Sequence, residues 1–400
     1  MKSNYDVLGK YIRLIDTRNK DNVTNKVMGI NIDKFFMPSV ANVIGTDLRK
    51  YKLITKGKFA CNPMHVGCDE RLPVALYGED EPALVSPAYF MFEIIDNTVL
   101  DENYLMMWFR RAEFDRICWL HTDGSVRGGI TWDDICRMEL PVVDIGEQRK
   151  IVEAYKIVDE RIKLKRRIND NLREVATVNF FEKIRYRKCN PDNYQETEIG
   201  TYPFDWRIIT LGEVLETIID RRGVTPAKLG SEWSENGIIA LSAKSVKNHE
   251  LVNLDIANHV DIELYNRWMQ QKLQPQDILM TSEAPLGEFY YLADFCEYCL
   301  SQRLFAMRAN KNLIEPTLLY FQLTDTIGKH QIDIRKTGTT VTGIRQSELI
   351  KVPIVVPSWN VQSEFAQFCD PIMVTIEKNA DEIAHLQSLK IMLLTQLSSL

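Results

Sequence analysis

The sequence predicts an α+β protein: two globules of mixed strands and helices, separated by two long antiparallel helices that form a coiled coil, with an internal pseudo-two-fold repeat. Three observations predict it. The stretch GGITWDDICRMELPVVDIGEQRKIV from Gly128 recurs as TGIRQSELIKVPIVVPSWNVQSEFA from Thr342, placing Gly129-Ile130 on Gly343-Ile344 and Gln148 on Gln362 at one offset of 214. Each copy runs into a long stretch with apolar residues at coiled-coil spacing. The opening YDVLGKYIRLID is echoed by RIITLGEVLETIID, with Leu8-Gly9 on Leu211-Gly212.

At 400 residues the chain is too long for one ordinary core. The first globule, residues 1–145, alternates short apolar runs (FACNPMHVG, PVALYG, ALVSPAYFMFEII) with Gly, Pro and Asn, the pattern of strands and loops. A helical stretch, DENYLMMWFRRAEFDRICW, interrupts them; its Trp108 and Phe109 resemble base-stacking material, but aromatics at helical spacing read first as core. Residues 146–187 lack proline and read as the first spacer helix, with Ile151, Tyr155, Val158, Ile162, Leu172 and Ala176 on one seam and Lys165 and Asn169 interrupting it. Residues 188–206, with two prolines and little apolar content, read as a linker, residues 207–358 as the second globule, and residues 359–400 as the second spacer helix. Its seam is Phe365, Cys369, Ile372, Ile376, Asn379, Ile383, Leu386, Leu393 and Leu397.

Either helix alone would expose an apolar stripe, so the two are expected to pair. From Glu147 to Lys188 the first carries thirteen Lys/Arg against seven Asp/Glu, whereas from Asn360 the second carries two against five, which favours pairing over self-association. Lys165 and Asn379 occupy one repeat position, either as a polar pair fixing register at a cost in stability or as two residues at a wet edge of the seam.

The net charge of −6 argues against indiscriminate coating of nucleic acid, whose affinity comes from cations neutralising phosphates, but leaves room for clustered basic readers. No window reaches the run of about 18 apolar residues of a membrane span, and MKSNYDVLGKYIRL has no signal-peptide core, so a cytoplasmic protein without membrane partners is expected. Eight cysteines are scattered; Cys296 and Cys299 form a lone C-x-x-C, and Cys61, His65 and Cys68 make no tetrahedral set, so no metal is expected. Asn62–His65 (NPMH) lacks the second proline and aromatic of an amino-methyltransferase loop, no phosphate-binding G-x-x-x-x-G-K-[ST] occurs, and Pro191-Asp192 has no E-x-K partner at nuclease spacing. The chain is therefore expected to be no enzyme and to need no cofactor of its own.

Across essentially its whole length the chain resembles the specificity subunit of type I restriction-modification enzymes. The resemblance is carried by YKLITKGKFACNPMHVGCDERLPVALY and ALVSPAYFMFEI in the first globule, TEIGTYPFDWRIITLGEV after the first helix, ILMTSEAPLGEFYYL and SQRLFAMR in the second globule, and the twice-used G-I turn, apolar strand and long helix. One departure stands at the second helix start, where Val361 replaces Glu147 before the shared glutamine. The resemblance implies that each globule is a target recognition domain reading one half of an asymmetric, bipartite sequence in double-stranded DNA. It implies that the helices set the gap between half-targets and dock two methyltransferase (modification) subunits, and that restriction/translocase subunits join them. Methyl donor and ATP would belong to those partners. The alternative reading is a non-catalytic structural or interaction protein, two globules on a coiled coil, without nucleic acid.

Base edges in the major groove are read best by Arg and Lys on guanine and by Asn and Gln on adenine, while Ser, Thr and backbone N–H groups hold phosphates. Loops on a rigid scaffold are where such residues are expected. In the first globule, DTRNKDNVTNK offers Arg18, Asn19, Lys20 and Asn22, and HTDGSVRGG offers Arg127. In the second, IIDRRGVTPAKLG offers Arg221, Arg222 and Lys228, LSAKSVKNHE offers Lys244 and Lys247, and RKTGTTVTGIRQ offers Arg335, Lys336, Thr339, Thr340 and Arg345. Each taken singly also fits a solvated surface residue. Lys163, Lys165, Arg166 and Arg167 on the first helix would face water or an acidic partner more readily than the DNA backbone.

Overall fold

A computed structural model describes residues 4–40, 45–64, 66–122, 128–186, 193–294, 297–338 and 342–397. The chain divides into two compact units, Met1–Lys163 with Ala384–Leu400, and Leu164–Ile383.

In the first unit β1 (Tyr5–Val7) and β2 (Ile12–Leu14) flank the Leu8-Gly9 turn. Strands β3 (Phe59–Cys61), β4 (Val74–Leu76) and β5 (Phe90–Ile94) join β2 in an antiparallel sheet of order β2-β5-β3-β4. Smaller antiparallel pairs join Met28–Ile30 to Phe36–Pro38 and Lys52–Ile54 to Ala83–Val85. The expected helical stretch is two helices, α1 (Glu102–Phe109) and α2 (Ala112–Leu120), because Asp101 caps the first and the chain breaks at Arg110-Arg111. Trp108 and Phe109 lie in the core on Phe59, Phe92 and Phe114, so they are packing and not stacking residues. The repeat motif then folds as α3 (Trp132–Arg137), strand β6 (Glu139–Pro141) paired with β1, and the first residues of α4 (Ile145–Phe180).

The second unit repeats the scheme. The stretch expected as a linker at 188–206 is described from residue 193. From residue 193 the chain forms a hairpin, β7 (Tyr194–Thr197) and β8 (Gly200–Pro203), because Ile199, Tyr202 and Trp206 supply apolar anchors that sink into this unit's core. Strand β9 (Arg207–Thr210) leads to β10 (Leu215–Asp220), which joins β11 (Ile278–Ser282), β12 (Leu286–Tyr291) and β13 (Leu304–Ala309) in an antiparallel sheet of order β10-β13-β11-β12. Helices α5 (Pro316–Thr324), α6 (Thr326–Asp333) and α7 (Gln346–Leu349) precede strand β14 (Pro353–Val356), which pairs with β9, and then α8 (Trp359–Gln396). The registers agree between copies: Asp6 faces Leu140 as Ile209 faces Ile354. Gly9 and Gly212 are kept small for one reason, since a Cβ would come within 2.9 Å of the Cys136 Cβ in one copy and 3.1 Å of the Ile350 Cβ in the other.

The helix starts show why the glutamine is duplicated. Gln148 accepts the Asp101 N–H at 2.9 Å and donates to the carbonyls of Val99 and Val143, each at 2.8 Å. Gln362 accepts the Glu315 N–H at 3.0 Å and donates to Leu313 at 3.3 Å and Pro357 at 2.9 Å. All four positions are related by the offset of 214, and both amides are buried. Replacing Glu147 by Val361 leaves this bond set intact, because the glutamine alone reaches those partners.

Within each unit parts of α4 and α8 lie antiparallel. In the first, Val152 and Tyr155 pack with Leu393, Leu394 and Leu397, and Lys390 reaches Asp159. In the second, Lys183 just beyond α4 pairs with Glu364 at 2.8 Å and Lys165 with Glu382 at 2.8 Å, a basic residue meeting an acidic one as the charge difference leads one to expect. Lys165 also donates to Asn379 Oδ1 at 2.8 Å, Asn379 donates to Asn169 Oδ1 at 2.7 Å, and Asn169 donates to the Ile376 carbonyl at 3.2 Å. Asn169 and Asn379 are buried, which decides for the register reading over the wet-edge one: sliding either helix would strand these amides among apolar side chains.

Glu377 on α8 is buried against the second sheet, accepting the Tyr290 hydroxyl at 2.9 Å and the Asp294 N–H. Burial raises its pKa to about 7, with the Asp381 and Asp294 carboxylates adding to the rise and the two hydrogen bonds opposing it.

Two predictions follow from these mounts. Gln362→Ala should cost about 2 to 4 kcal/mol in urea unfolding, because it leaves buried backbone groups without partners. For Glu377, the unfolded chain ionises near 4.5 while the folded chain holds the proton to about 7, so wild-type stability should fall as pH rises through that window and level off above it. Unfolding curves of Glu377→Gln at pH 5 and pH 8 should lack this fall.

Candidate nucleic-acid interface

The reading residues expected in the first unit separate by burial. Asn19 is fully buried, donating to the carbonyls of Thr24 at 3.0 Å and Leu48 at 3.4 Å and accepting the Val23 N–H at 2.8 Å. Its amide is spent holding the loop. Arg18 is half-buried, donating to the Lys50 carbonyl at 2.7 Å and pairing with Asp16 at 2.6 Å. Lys20 and Asn22 are exposed on the loop that Asn19 braces, Asn22 at a positive φ of 52°. Arg127 lies outside the described residues.

In the second unit, residues distant in sequence converge on a cleft of about 310 Å³. It is lined by Arg222, Ser282, Glu283, Thr337, Gly338, Gly343, Ile344 and Arg345. Arg222 is held by Asp220 through two bonds, Nε at 2.9 Å and Nη2 at 2.7 Å, and its guanidinium lies 4.1 Å from the Phe305 ring centroid. That brace fixes a planar donor group and neutralises much of its charge. Glu283 pairs with Arg303 at 3.2 Å. The Ile344 N–H donates to the Ser282 carbonyl at 2.9 Å, tying the Gly343-Ile344 turn to the end of β11, and a Cβ on Gly343 would sit 3.0 Å from that same carbonyl oxygen. Arg345, next in the chain, is exposed, and its side chain makes no hydrogen bond or ion pair with a described residue.

The other candidates do not line this cleft. Arg335 folds back on Gln331 and Lys336 pairs with Asp333 at 2.7 Å, both serving the C-terminal end of α6. Lys228 donates to the Gly223 carbonyl at 2.6 Å inside its own loop, and Arg221 is half-buried with its Nε unpartnered. Lys244 and Lys247 are exposed near a separate hairpin, Val246–Lys247 with Glu250–Leu251, whose turn uses Asn248 and His249 at positive φ. Thr339 and Thr340 lie outside the described residues. Sequence reading passed over Ser282, Glu283, Arg303 and Thr337. Only the Gly343-Ile344 repeat pointed toward them, since its turn needs an anchor on a neighbouring strand.

Residues 203–388 match the family described as Type I restriction modification DNA specificity domain. Over that span the chain carries a type I restriction-modification DNA specificity domain. It is 22% identical over 398 residues, 97% of this chain and 86% of the relative, to a putative type I restriction enzyme MjaX specificity subunit of Methanocaldococcus jannaschii. It shares the fold of the type I restriction-modification S subunit of M. genitalium at a TM-score of 0.60 and 13% identity, covering 99% of this chain and 96% of that one. The HsdS subunit of Thermoanaerobacter tengcongensis aligns over 98% of this chain and 95% of its own at 16% identity and a TM-score of 0.35. Among the described residues, no helix is long and apolar enough to cross a membrane.

Proposed function

We propose that the chain reads a bipartite, asymmetric DNA target, residues 1–145 taking one half and residues 207–358 the other. On this reading residues 146–187 and 359–400 set the gap between the halves. The observation that carries it is the duplicated mount: one glutamine, bonded to the same three backbone positions in each copy, starts both long helices. Identical mounts carry unlike surfaces, as the loops expected to read share few residues between the copies: at the offset of 214, Ser125, Val126 and Arg127 fall on Thr339, Thr340 and Val341. A protein that measured the same base sequence twice would have no use for that difference. Direct readout by loop Arg, Lys, Asn and Gln supplies the discrimination, about 1 to 3 kcal/mol for each bidentate pair.

Two methyltransferase subunits dock on the helices in this account, and restriction/translocase subunits complete the assembly. Support comes from an unburied apolar stripe on the part of α4 within the second unit, Leu164, Ile168, Val175 and Val178, which lies on one helical face and is between about a third and a half exposed. Such a stripe costs solubility unless a partner covers it.

The test is a domain exchange. Residues 1–145 are replaced by the first globule of another family member, the chimera is expressed with its methyltransferase subunits, and the methylated motif is mapped by sequencing. One half of the target should change while the other half and the gap stay. A change in both halves, or none, contradicts independent reading domains.

A further inference from the structure

The two copies of the G-I turn differ in the residue that follows it. In the first unit Thr131 is the N-cap of α3 in a capping box: its hydroxyl accepts the Asp134 N–H at 3.2 Å, and the Asp134 carboxylate accepts the Thr131 N–H at 3.3 Å. The equivalent position, 214 residues on, is Arg345, the N-cap of α7, which makes no side-chain cap. Arginine has no acceptor to offer the free N–H groups there, and its charge opposes the positive end of the helix. The rest of the box is present, since Glu348 occupies the position of Asp134 and, with no threonine to bond, pairs with Lys351 at 2.8 Å.

The turn itself is kept in both units. Ile130 donates to the Pro63 carbonyl at 3.1 Å as Ile344 donates to the Ser282 carbonyl, and both isoleucines are buried. At the cap position the second copy carries a guanidinium that points at no described partner and lines the cleft with Arg222, Ser282 and Glu283. A local rule broken beside a turn whose backbone bond and buried isoleucine are kept marks a residue retained for something other than folding.

Resting on the DNA-reading function proposed above, we infer that Arg345 is a base-reading residue of the second domain, its guanidinium donating to O6 and N7 of a guanine in the major groove. The neighbour favours a base edge over a phosphate. Glu283 spends Oε1 on Arg303, and its other oxygen suits the N4 amino group of the paired cytosine, whereas a phosphate at the same place would meet a carboxylate.

The experiment uses the full chain assembled with its methyltransferase subunits and selects duplexes from a randomised library at several salt concentrations. Arg345→Thr completes a Thr-x-x-Glu box and should melt at a higher temperature than wild type. It should lose discrimination at one G·C position of one half-target by about 5- to 150-fold, with the other half-target and the salt slope unchanged. Arg345→Lys keeps the charge without the fork and should lose the same discrimination. An unaltered selection profile in both variants overturns the inference. So does a loss spread evenly over all sequences with the slope of log K against log salt smaller by about one in Arg345→Thr, the signature of a phosphate contact. If the wild-type assembly itself selects no sequence, the DNA-reading function fails along with it.

Discussion

Each long helix is fastened at its first turn by a buried glutamine amide whose three partners are backbone groups of the preceding globule. A side-chain amide offers one acceptor and two donors, and here all three are used in both copies. Backbone partners make the fastening indifferent to what side chains the loops carry. The loops can therefore vary while the helix start keeps its place.

The helical seam adds a second constraint. Apolar packing alone would tolerate a shift by a turn, because leucine and isoleucine positions resemble one another. The chain Lys165, Asn379, Asn169 and the Ile376 carbonyl does not tolerate it, since each buried amide has one arrangement in which it is satisfied. The contact joins two positions the repeat treats as equivalent, yet the residues differ, Lys165 donating and Asn379 accepting. Glu377 nearby shows the other side of this economy: a carboxylate held by a hydroxyl and an N–H at the expense of a raised pKa.

Much of this was legible before any coordinates. The offset of 214, the helix seams, the polar pair at Lys165 and Asn379 and the core role of Trp108 and Phe109 all follow from periodicity and repetition, which are local properties. What was not legible is set by tertiary contact. Pro, Asn and Asp marked residues 188–206 as a linker, and nothing local revealed that Ile199, Tyr202 and Trp206 would find a core. Asn19 sits among exposed residues, and only folding shows its amide turned inward. The cleft around Arg345 draws on four separated segments, and of its lining only Arg222 and Arg345 had been singled out from loop composition.

The central claim is that the helices measure distance and the globules read letters. Deleting one seven-residue repeat from each long helix, in register so that the Lys165–Asn379 contact survives, and mapping the methylated motif of the resulting complex tests it most directly. The account predicts the same two half-target sequences with a changed number of base pairs between them. Altered half-target letters with an unchanged gap would contradict it.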